Sequence, residues 1–186
     1  MSKKTVKKKQ TPVVKGVLEI TRSGIGYVVA EGRDNDLLVR PNDFNRAMNG
    51  DTVRVRVKES NSRRTEGVIE DVIERKQIEF IGDIEVNENF GFFKPDSQKP
   101  MPDFYVSVRN LNGAKNKDRV VVRFLNWEKG EKKPEGEVVN VLQAKDRNER
   151  AMKEIFIQNG FLLDFPNPVL AEANAFNSTL AKNELA

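Results

Sequence analysis

The sequence predicts an all-β fold, with two tandem five-stranded barrels followed by a short C-terminal helical segment. The first observation is an internal repeat, since residues 16–76 and 82–145 carry one pattern in the same order. The second is that each copy contains about five short apolar runs separated by Gly, Asn and Pro. Each copy is as long as a small domain, and closing a sheet removes its exposed edges, so we expect each copy to form its own barrel.

The elements follow in the same order in both copies. Each copy begins with a Gly and alternating apolar residues, continues with a Gly-aromatic pair, and ends with a Glu-Gly pair and a last strand. The clearest strand is 52–57, where Val53 and Val55 alternate with Arg54 and Arg56, as expected for a strand with one buried face. The predicted strands, all antiparallel, are 16–20, 26–28, 36–39, 52–57 and 66–69, and in the second copy 82–86, 91–93, 103–106, 119–124 and 135–139.

The flanks of the repeat differ from it in character. Residues 1–14 are rich in Lys and lack periodicity, which predicts a basic disordered tail. Apolar residues recur at helical spacing within 146–159, and a second short helix is predicted from Asn167-Pro168 toward Phe176. These helices are expected to lie against the second barrel, or against a part that the chain does not contain. The predicted division is 1–14 for the tail, 15–77 and 78–145 for the two barrels, and 146–186 for the helical segment.

The composition excludes several classes of chemistry. The chain has no Cys and no His, which excludes disulfides, thiolate catalysis, His-based acid–base catalysis and the usual zinc sites. No apolar run has the length of a membrane span and the Lys-rich start lacks a secretory pattern, so we expect a cytoplasmic protein. Residues 16–76 and 77–145 each hold 11 basic and 11 acidic residues, so a polyanion would be bound by local patches. The lysines of the tail either add non-specific attraction or form a solvated terminus.

Aromatic residues of the second copy fall at alternate positions of two neighbouring predicted strands. Phe90 and Phe92 share one face of their strand, and Tyr105 and Ser107 share one face of the next, because strand side chains alternate. If these strands pair, Phe90, Phe92 and Tyr105 form a platform on the outside of the barrel, while Phe93 points to the other face. Such a platform suits unstacked nucleobases. The alternative is that the rings belong to the core; we favour the platform.

Two short motifs of the second copy resemble those of cold-shock domains, which are OB-fold barrels. Residues 88–93, Glu-Asn-Phe-Gly-Phe-Phe, resemble the family's first motif, K-G-F-G-F-[IV], at its ring positions. Residues 104–108, Phe-Tyr-Val-Ser-Val, resemble its second motif, V-F-V-H-F, with Tyr105 at the base-stacking ring. The chain departs from the family at Glu88, Ser107 and Val108, which replace the Lys, the His and the last Phe. The resemblance implies an OB-fold that binds single-stranded nucleic acid.

The first copy departs further from the cold-shock pattern. It keeps two glycines but has a single ring, Tyr27, and Leu38 stands where the family has an aromatic residue. The face formed by Ile25, Tyr27, Leu38 and Arg40 either grips a nucleic-acid strand through Tyr27 and Arg40 or serves as a packing surface. The sequence leaves both interpretations open.

The succession of parts resembles the front half of bacterial ribonuclease R, a group of 3′-to-5′ exoribonucleases in the ribonuclease II family. The resemblance covers roughly residues 15–177 and includes the barrel-closing segments 64–70 and 134–136 and the later segment 165–173. The family implies a catalytic domain that holds Mg²⁺ through clustered Asp residues, with an S1-type barrel behind it. The chain is therefore expected to lead to a catalytic domain that it lacks, and to hold no cofactor itself.

Three functions remain open from the sequence. The first is a module that binds single-stranded RNA and feeds it to a ribonuclease R-like exoribonuclease, without a hydrolytic site of its own. The second is a standalone tandem cold-shock RNA chaperone, and the third is a protein-interaction adaptor. The expected partners are single-stranded RNA and the catalytic and S1-type domains of the same polypeptide. The candidate RNA-binding residues are Phe90, Phe92, Tyr105, Tyr27, Lys94, Arg109, Lys115, Lys117, Arg119, Arg123, Arg40, Arg54 and Arg56.

Overall fold

The computed structural model describes residues 12–30, 32, 35–58, 65–142, 147–159 and 161. Ten strands and one α-helix lie within these residues. The strands of the first repeat are β1 (Val13–Ile20), β2 (Gly26–Ala30), β3 (Leu37–Val39), β4 (Thr52–Val57) and β5 (Glu66–Glu74). The second repeat contains β6 (Glu79–Val86), β7 (Phe90–Pro95), β8 (Phe104–Ser107), β9 (Arg119–Asn126) and β10 (Glu135–Val141), and is followed by α1 (Arg147–Gln158).

The strands form two closed barrels, in the orders β1-β2-β3-β5-β4 and β10-β8-β7-β6-β9. The predicted fold class, two five-stranded barrels followed by a helical segment, is therefore confirmed. The prediction that all strands pair antiparallel was wrong, because β3 pairs with β5 and β8 pairs with β10 in parallel. A ring of five strands cannot alternate direction all the way round, so one parallel pair must close each barrel.

The first strand begins earlier than predicted. Val13 and Val14, assigned to the tail from the sequence, lie in β1 and pair with Arg56 and Val55 of β4. These two valines are β-branched and therefore favour a strand. Their strand preference extends β1 toward the N-terminus, although the lysine-rich stretch shows no periodicity. The predicted tail residues 1–11 and the predicted second helix at 167–176 lie outside the described residues.

Each barrel has its own apolar core from the inward positions of its strands. The first core includes Leu18, Val28 and Val53, and the second includes Phe93 and Phe104, all fully buried. The glycine that opens each repeat lets two strands cross closely. A Cβ atom at that glycine would collide with a backbone carbonyl oxygen of the paired strand, in β2 for the first barrel and β7 for the second.

The turn that enters the fourth strand is built in the same way in both barrels. Asn49 accepts a backbone N–H bond from β1 at 2.9 Å, and Asn116 accepts one from β6 at 3.0 Å. Asp51 and Asp118 each accept the N–H of the residue three positions earlier at 2.7 Å. The repeat seen in the sequence is therefore a repeat of hydrogen bonds as well as of apolar positions.

The two barrels contact each other through hydrogen bonds and a cation–π contact among five residues. We call these residues the seam: Arg46, Asp51, Arg75, Phe124 and Trp127. Arg75 donates to a carboxylate oxygen of Asp51 at 2.6 Å and to the carbonyl oxygen of Arg46 at 2.9 Å. Its guanidinium lies 4.6 Å from the ring centroid of Phe124, in the second barrel. Arg46 in turn donates to the carbonyl oxygen of Trp127 at 2.9 Å. Burial raises the pKa of Asp51 and lowers that of Arg75, while their ion pair opposes both effects.

Further contacts join the two barrels, and they include packing of Met48 and a hydrogen bond of Lys99. Met48 is buried and packs with the core residues of the second barrel, although it belongs to the first repeat. Lys99 of the second repeat donates to the side-chain oxygen of Asn49 at 2.9 Å. The junction therefore contains apolar packing as well as hydrogen bonds.

Helix α1 packs on the second barrel through one side. Ile157 is buried against Ile81, Val121 and Leu142, whereas Ile155 faces solvent. The prediction of a helix over 146–159 agrees with α1 to within a residue or two at each end. None of the described helical residues forms a stretch with the length and apolar character needed to cross a membrane.

Candidate nucleic-acid interface

Three aromatic rings lie side by side on the outer surface of the second barrel, and we call Phe90, Phe92 and Tyr105 the platform. Phe92 pairs directly with Tyr105 across β7 and β8. The ring centroids of Phe90 and Phe92 are 4.7 Å apart, and those of Phe90 and Tyr105 are 5.7 Å apart. Tyr105 is 37% exposed and the two Phe rings are half-buried, while their neighbour Phe93 is fully buried. The rings therefore lie on the face that strand alternation predicts.

Gly91 makes this arrangement possible from the inner side of β7. A Cβ atom at this position would lie 2.9 Å from a side-chain carbon of Leu111 and 3.0 Å from one of Ile84, both tighter than normal contacts. The strand can therefore lie close to the core, with its two flanking rings directed outward.

Lys133, which the sequence analysis missed, covers one ring of the platform. Its Nζ lies 4.2 Å from the ring centroid of Phe92 and 3.2 Å from a carboxylate oxygen of Asp103. Lys133 precedes β10, whose first residue, Glu135, pairs with Tyr105. The signal in the sequence was the Lys132-Lys133-Pro134 run at the start of the barrel-closing strand, although the ring that it meets lies on another strand.

Four of the predicted cations are exposed near these strands. Lys94 follows Phe92 on the same face of β7, and Arg109 lies in the 3-10 turn that follows β8. Lys115 and Lys117 lie in the turn before β9. None of these four forms an ion pair with an acidic residue in the part of the chain that the structure describes.

Lys117 borders a cavity of about 370 Å³ next to the platform, which is also lined by Phe92, Asn87 and Asn116. Its backbone has a φ of 70°, the left-handed conformation that Gly50 adopts, with a φ of 89°, at the matching turn of the first barrel. A lysine in this conformation costs more than a glycine would, roughly 1 kcal/mol. The turn therefore presents a cation beside Phe92 at some cost in backbone strain.

Two other predicted cations lie on β9, which pairs with β6 and β10 and not with the strands of the platform. Arg119 forms ion pairs with Asp83, Asp96 and Glu154, and the hydrogen bonds and charges of Asp96 and Glu154 raise its pKa. Arg123 donates to the buried Glu79 at 2.7 Å. Arg119 links the barrel to α1 and Arg123 links β9 to β6, and the structure does not bring either side chain to the platform.

The cations of the first barrel are also paired. Arg40 donates to Glu66 at 2.9 Å, which raises the pKa of Arg40 and lowers that of Glu66. Arg56 contacts Glu70 at 2.9 Å, and Arg54 contacts Asp71 at 3.4 Å. The outward face of this barrel carries the half-buried Tyr27, which pairs with Leu38 across β2 and β3, and the exposed Ile25.

The acidic residues do not form a metal site within the described part of the chain. No group of three or more Asp or Glu side chains there converges in a way that could hold a metal ion.

The fold and the site together define the class of protein as a tandem-barrel protein with an aromatic surface. The protein consists of tandem OB-fold barrels, and its second barrel has the outward rings of a cold-shock domain. Residues 16–72 match the family model of the ribonuclease B OB domain, and residues 92–166 match that of the cold shock domain.

The comparisons confirm the predicted resemblance to ribonuclease R, and the chain is similar to the tandem-barrel region of that family. It is 30% identical over 173 residues to ribonuclease R of Thermotoga maritima, a match that covers 91% of this chain and 24% of the relative. The chain thus spans about a quarter of that relative's length.

Solved structures show the same fold. The chain matches Mycoplasma genitalium RNase R in complex with ribose methylated single-stranded RNA with a TM-score of 0.70 and 15% identity, over 90% of this chain and 27% of that one. It matches yeast Ssd1, a pseudonuclease, with a TM-score of 0.65 and 20% identity, over 81% of this chain and 25% of that one. Because one neighbour is a nuclease and the other a pseudonuclease, the fold by itself does not define an activity.

Proposed function

We propose that this chain binds single-stranded RNA and feeds it to the catalytic domain of a ribonuclease R-like 3′-to-5′ exoribonuclease. The observation that carries the proposal is the platform, whose three neighbouring rings lie on the outside of the second barrel. We further propose that the chain does not hydrolyse RNA by itself, that Mg²⁺ belongs to the catalytic domain, and that the protein acts in the cytoplasm. The resemblance to ribonuclease R supports the choice of RNA and of the catalytic partner.

The binding chemistry follows from the rings and from the cations around them. Unstacked bases would lie on Phe90, Phe92 and Tyr105, and stacking accepts any base because every base has a π face. Lys94 and Lys117, which lie beside Phe92, would contact phosphates. Binding of this kind is largely independent of sequence, which suits a processive degrading enzyme.

Titration of a fluorescently labelled single-stranded oligoribonucleotide tests the proposal. We expect Phe92→Ala and Tyr105→Ala each to raise Kd by about 5- to 150-fold, because stacking on one ring contributes roughly 1–3 kcal/mol. The matched control is Phe161→Ala, which removes an equally large ring that is 63% exposed and lies after α1. Equal affinities of the wild type, the two platform variants and the control, or no binding at low salt, would contradict the proposal and favour the adaptor.

A second proposal from the same site is a standalone RNA chaperone. It shares the platform and differs only in having no catalytic partner. The similarity to ribonuclease R over 91% of this chain favours the exoribonuclease.

A further inference from the structure

One face of the Phe92 ring, on which a base could stack, already carries a cation. Lys133 places its Nζ 4.2 Å from the centroid of that ring, which is the geometry of a cation–π contact. The same ammonium lies 3.2 Å from Asp103, so two contacts hold it over the platform. Both side chains of this ion pair are more than a third exposed, so the pair is weak in water.

The backbone fixes where this lysine can reach. The carbonyl oxygen of the next residue, Pro134, accepts the N–H of Tyr105 at 2.8 Å, which ties the segment to β8. Earlier in the same loop, Trp127 donates its Nε1–H to the carbonyl oxygen of Glu131 at 3.0 Å. The main chain is thus anchored on both sides of Lys133, while its long side chain contacts Phe92 and Asp103 among the residues that the structure describes.

Base stacking and the ammonium compete for the same ring face. A base cannot lie flat on this face of Phe92 while Nζ stays 4.2 Å from its centroid. The displaced ammonium has three N–H donors and needs an acceptor nearby. A nucleotide stacked on Phe92 supplies one, because its phosphodiester lies next to its base and carries the complementary charge.

We propose that Lys133 determines which ligands the platform accepts: it covers Phe92 in the free protein and moves to the phosphate of the nucleotide that stacks there. Phe92 therefore accepts a base that brings a phosphodiester and disfavours a neutral aromatic ligand, which would leave the ammonium without compensation. This inference rests on the proposed function and deepens it. It assigns to Lys133 an electrostatic contact with a phosphate of the bound nucleotide.

The test measures the affinity of a single-stranded oligoribonucleotide for Lys133→Met at several salt concentrations. Methionine keeps an unbranched side chain of similar length and removes the charge. We expect Kd to rise on the order of fivefold and the slope of log K against log[salt] to become shallower by about 0.7, the value for one phosphate contact on a single strand. Lys133→Arg should keep both the affinity and the slope.

Lys132→Met is the matched control, since it removes the exposed neighbouring lysine from the same loop. Its salt slope should change by less than half as much as that of Lys133→Met, and circular dichroism checks that all variants are folded. Tighter binding by Lys133→Met with an unchanged slope would show that Lys133 only blocks the ring, and would overturn the proposal. Equal effects of the two Met variants would also overturn it. If the wild type binds RNA and Phe92→Ala weakens binding but Lys133→Met does not, the role of Lys133 is refuted and the proposed function stands. If the wild type binds no RNA, both the role of Lys133 and the proposed function are refuted.

Discussion

Arg75 contacts three other residues of the seam. It pairs with the buried carboxylate of Asp51, donates to the carbonyl oxygen of Arg46 and lies over the ring of Phe124. Its side chain is 15% exposed and that of Asp51 is 2% exposed, so removing either partner leaves a charge without solvent or a counterion.

We expect Arg75→Met to lower the free energy of unfolding by about 3 kcal/mol at neutral pH, measured by urea denaturation. The loss should shrink toward about pH 4, because burial raises the pKa of the uncompensated Asp51 above its value in the unfolded chain. The folded variant then binds a proton that the unfolded chain releases, so its stability falls as pH rises. Arg54→Met is the control, since its pair with Asp71 is more than half exposed. It should change the free energy of unfolding by less than about 0.5 kcal/mol. A loss that does not vary with pH would contradict this account of Asp51.

The position of the rings could be predicted from sequence, whereas the state of the cations could not. Alternation along a strand is a local property, and it placed Phe92 outside and Phe93 inside. Whether an arginine is free depends on which carboxylate a distant strand brings beside it, as Glu154 of α1 does for Arg119. Lys133 was missed for the same reason, because the ring that it covers lies on β7.

Among the side chains of α1 that the structure describes, Ile157 is the buried one. Ile157→Ala should remove packing worth about 2–4 kcal/mol and release the helix from the barrel. We expect hydrogen exchange of the backbone amides in 151–159 to become at least about tenfold faster, since local protection follows the free energy of local opening. Ile155→Ala, at a position of the same helix that is 59% exposed, should leave exchange unchanged. Equal exchange in the two variants would show that polar contacts, such as those of Glu154 with Arg119 and of the Ile157 carbonyl oxygen with Gln77, hold α1 without the Ile157 side chain.

The strands were predictable because each has a short apolar run bounded by turn residues. The pairing partners of the strands were harder to predict from the sequence. The parallel pair that closes each barrel follows from the odd number of strands and not from any single residue. The start of β1 was misplaced because Val13 and Val14 gain their place by pairing with β4, which lies far along the chain.

At the scale of the whole molecule, the two barrels should unfold together. Met48 is 3% exposed and packs in the core of the second barrel, so each barrel buries surface of the other. We expect one urea transition of the wild type, with coincident midpoints from circular dichroism and from the fluorescence of Trp127, the single tryptophan.

Met48→Ala should separate these midpoints, because it removes about 2–4 kcal/mol of packing at the junction. Met152→Ala, which truncates a half-exposed methionine of α1, should keep them coincident. Two separate transitions already in the wild type would mean that the junction is too weak to couple the barrels.

The matching Asn and Asp turns have a consequence for protein engineering. Each barrel closes the turn before its fourth strand with its own Asn and Asp, so exchanging outward side chains that lie away from the junction and from the ion pairs should cost little stability. Aromatic substitutions at Ile25 and Leu38, beside the existing Tyr27, would transplant a ring patch onto the first barrel. The seam would then hold the two ring patches at a fixed separation. The affinity for RNA should therefore depend on whether the bound strand is long enough to reach both patches.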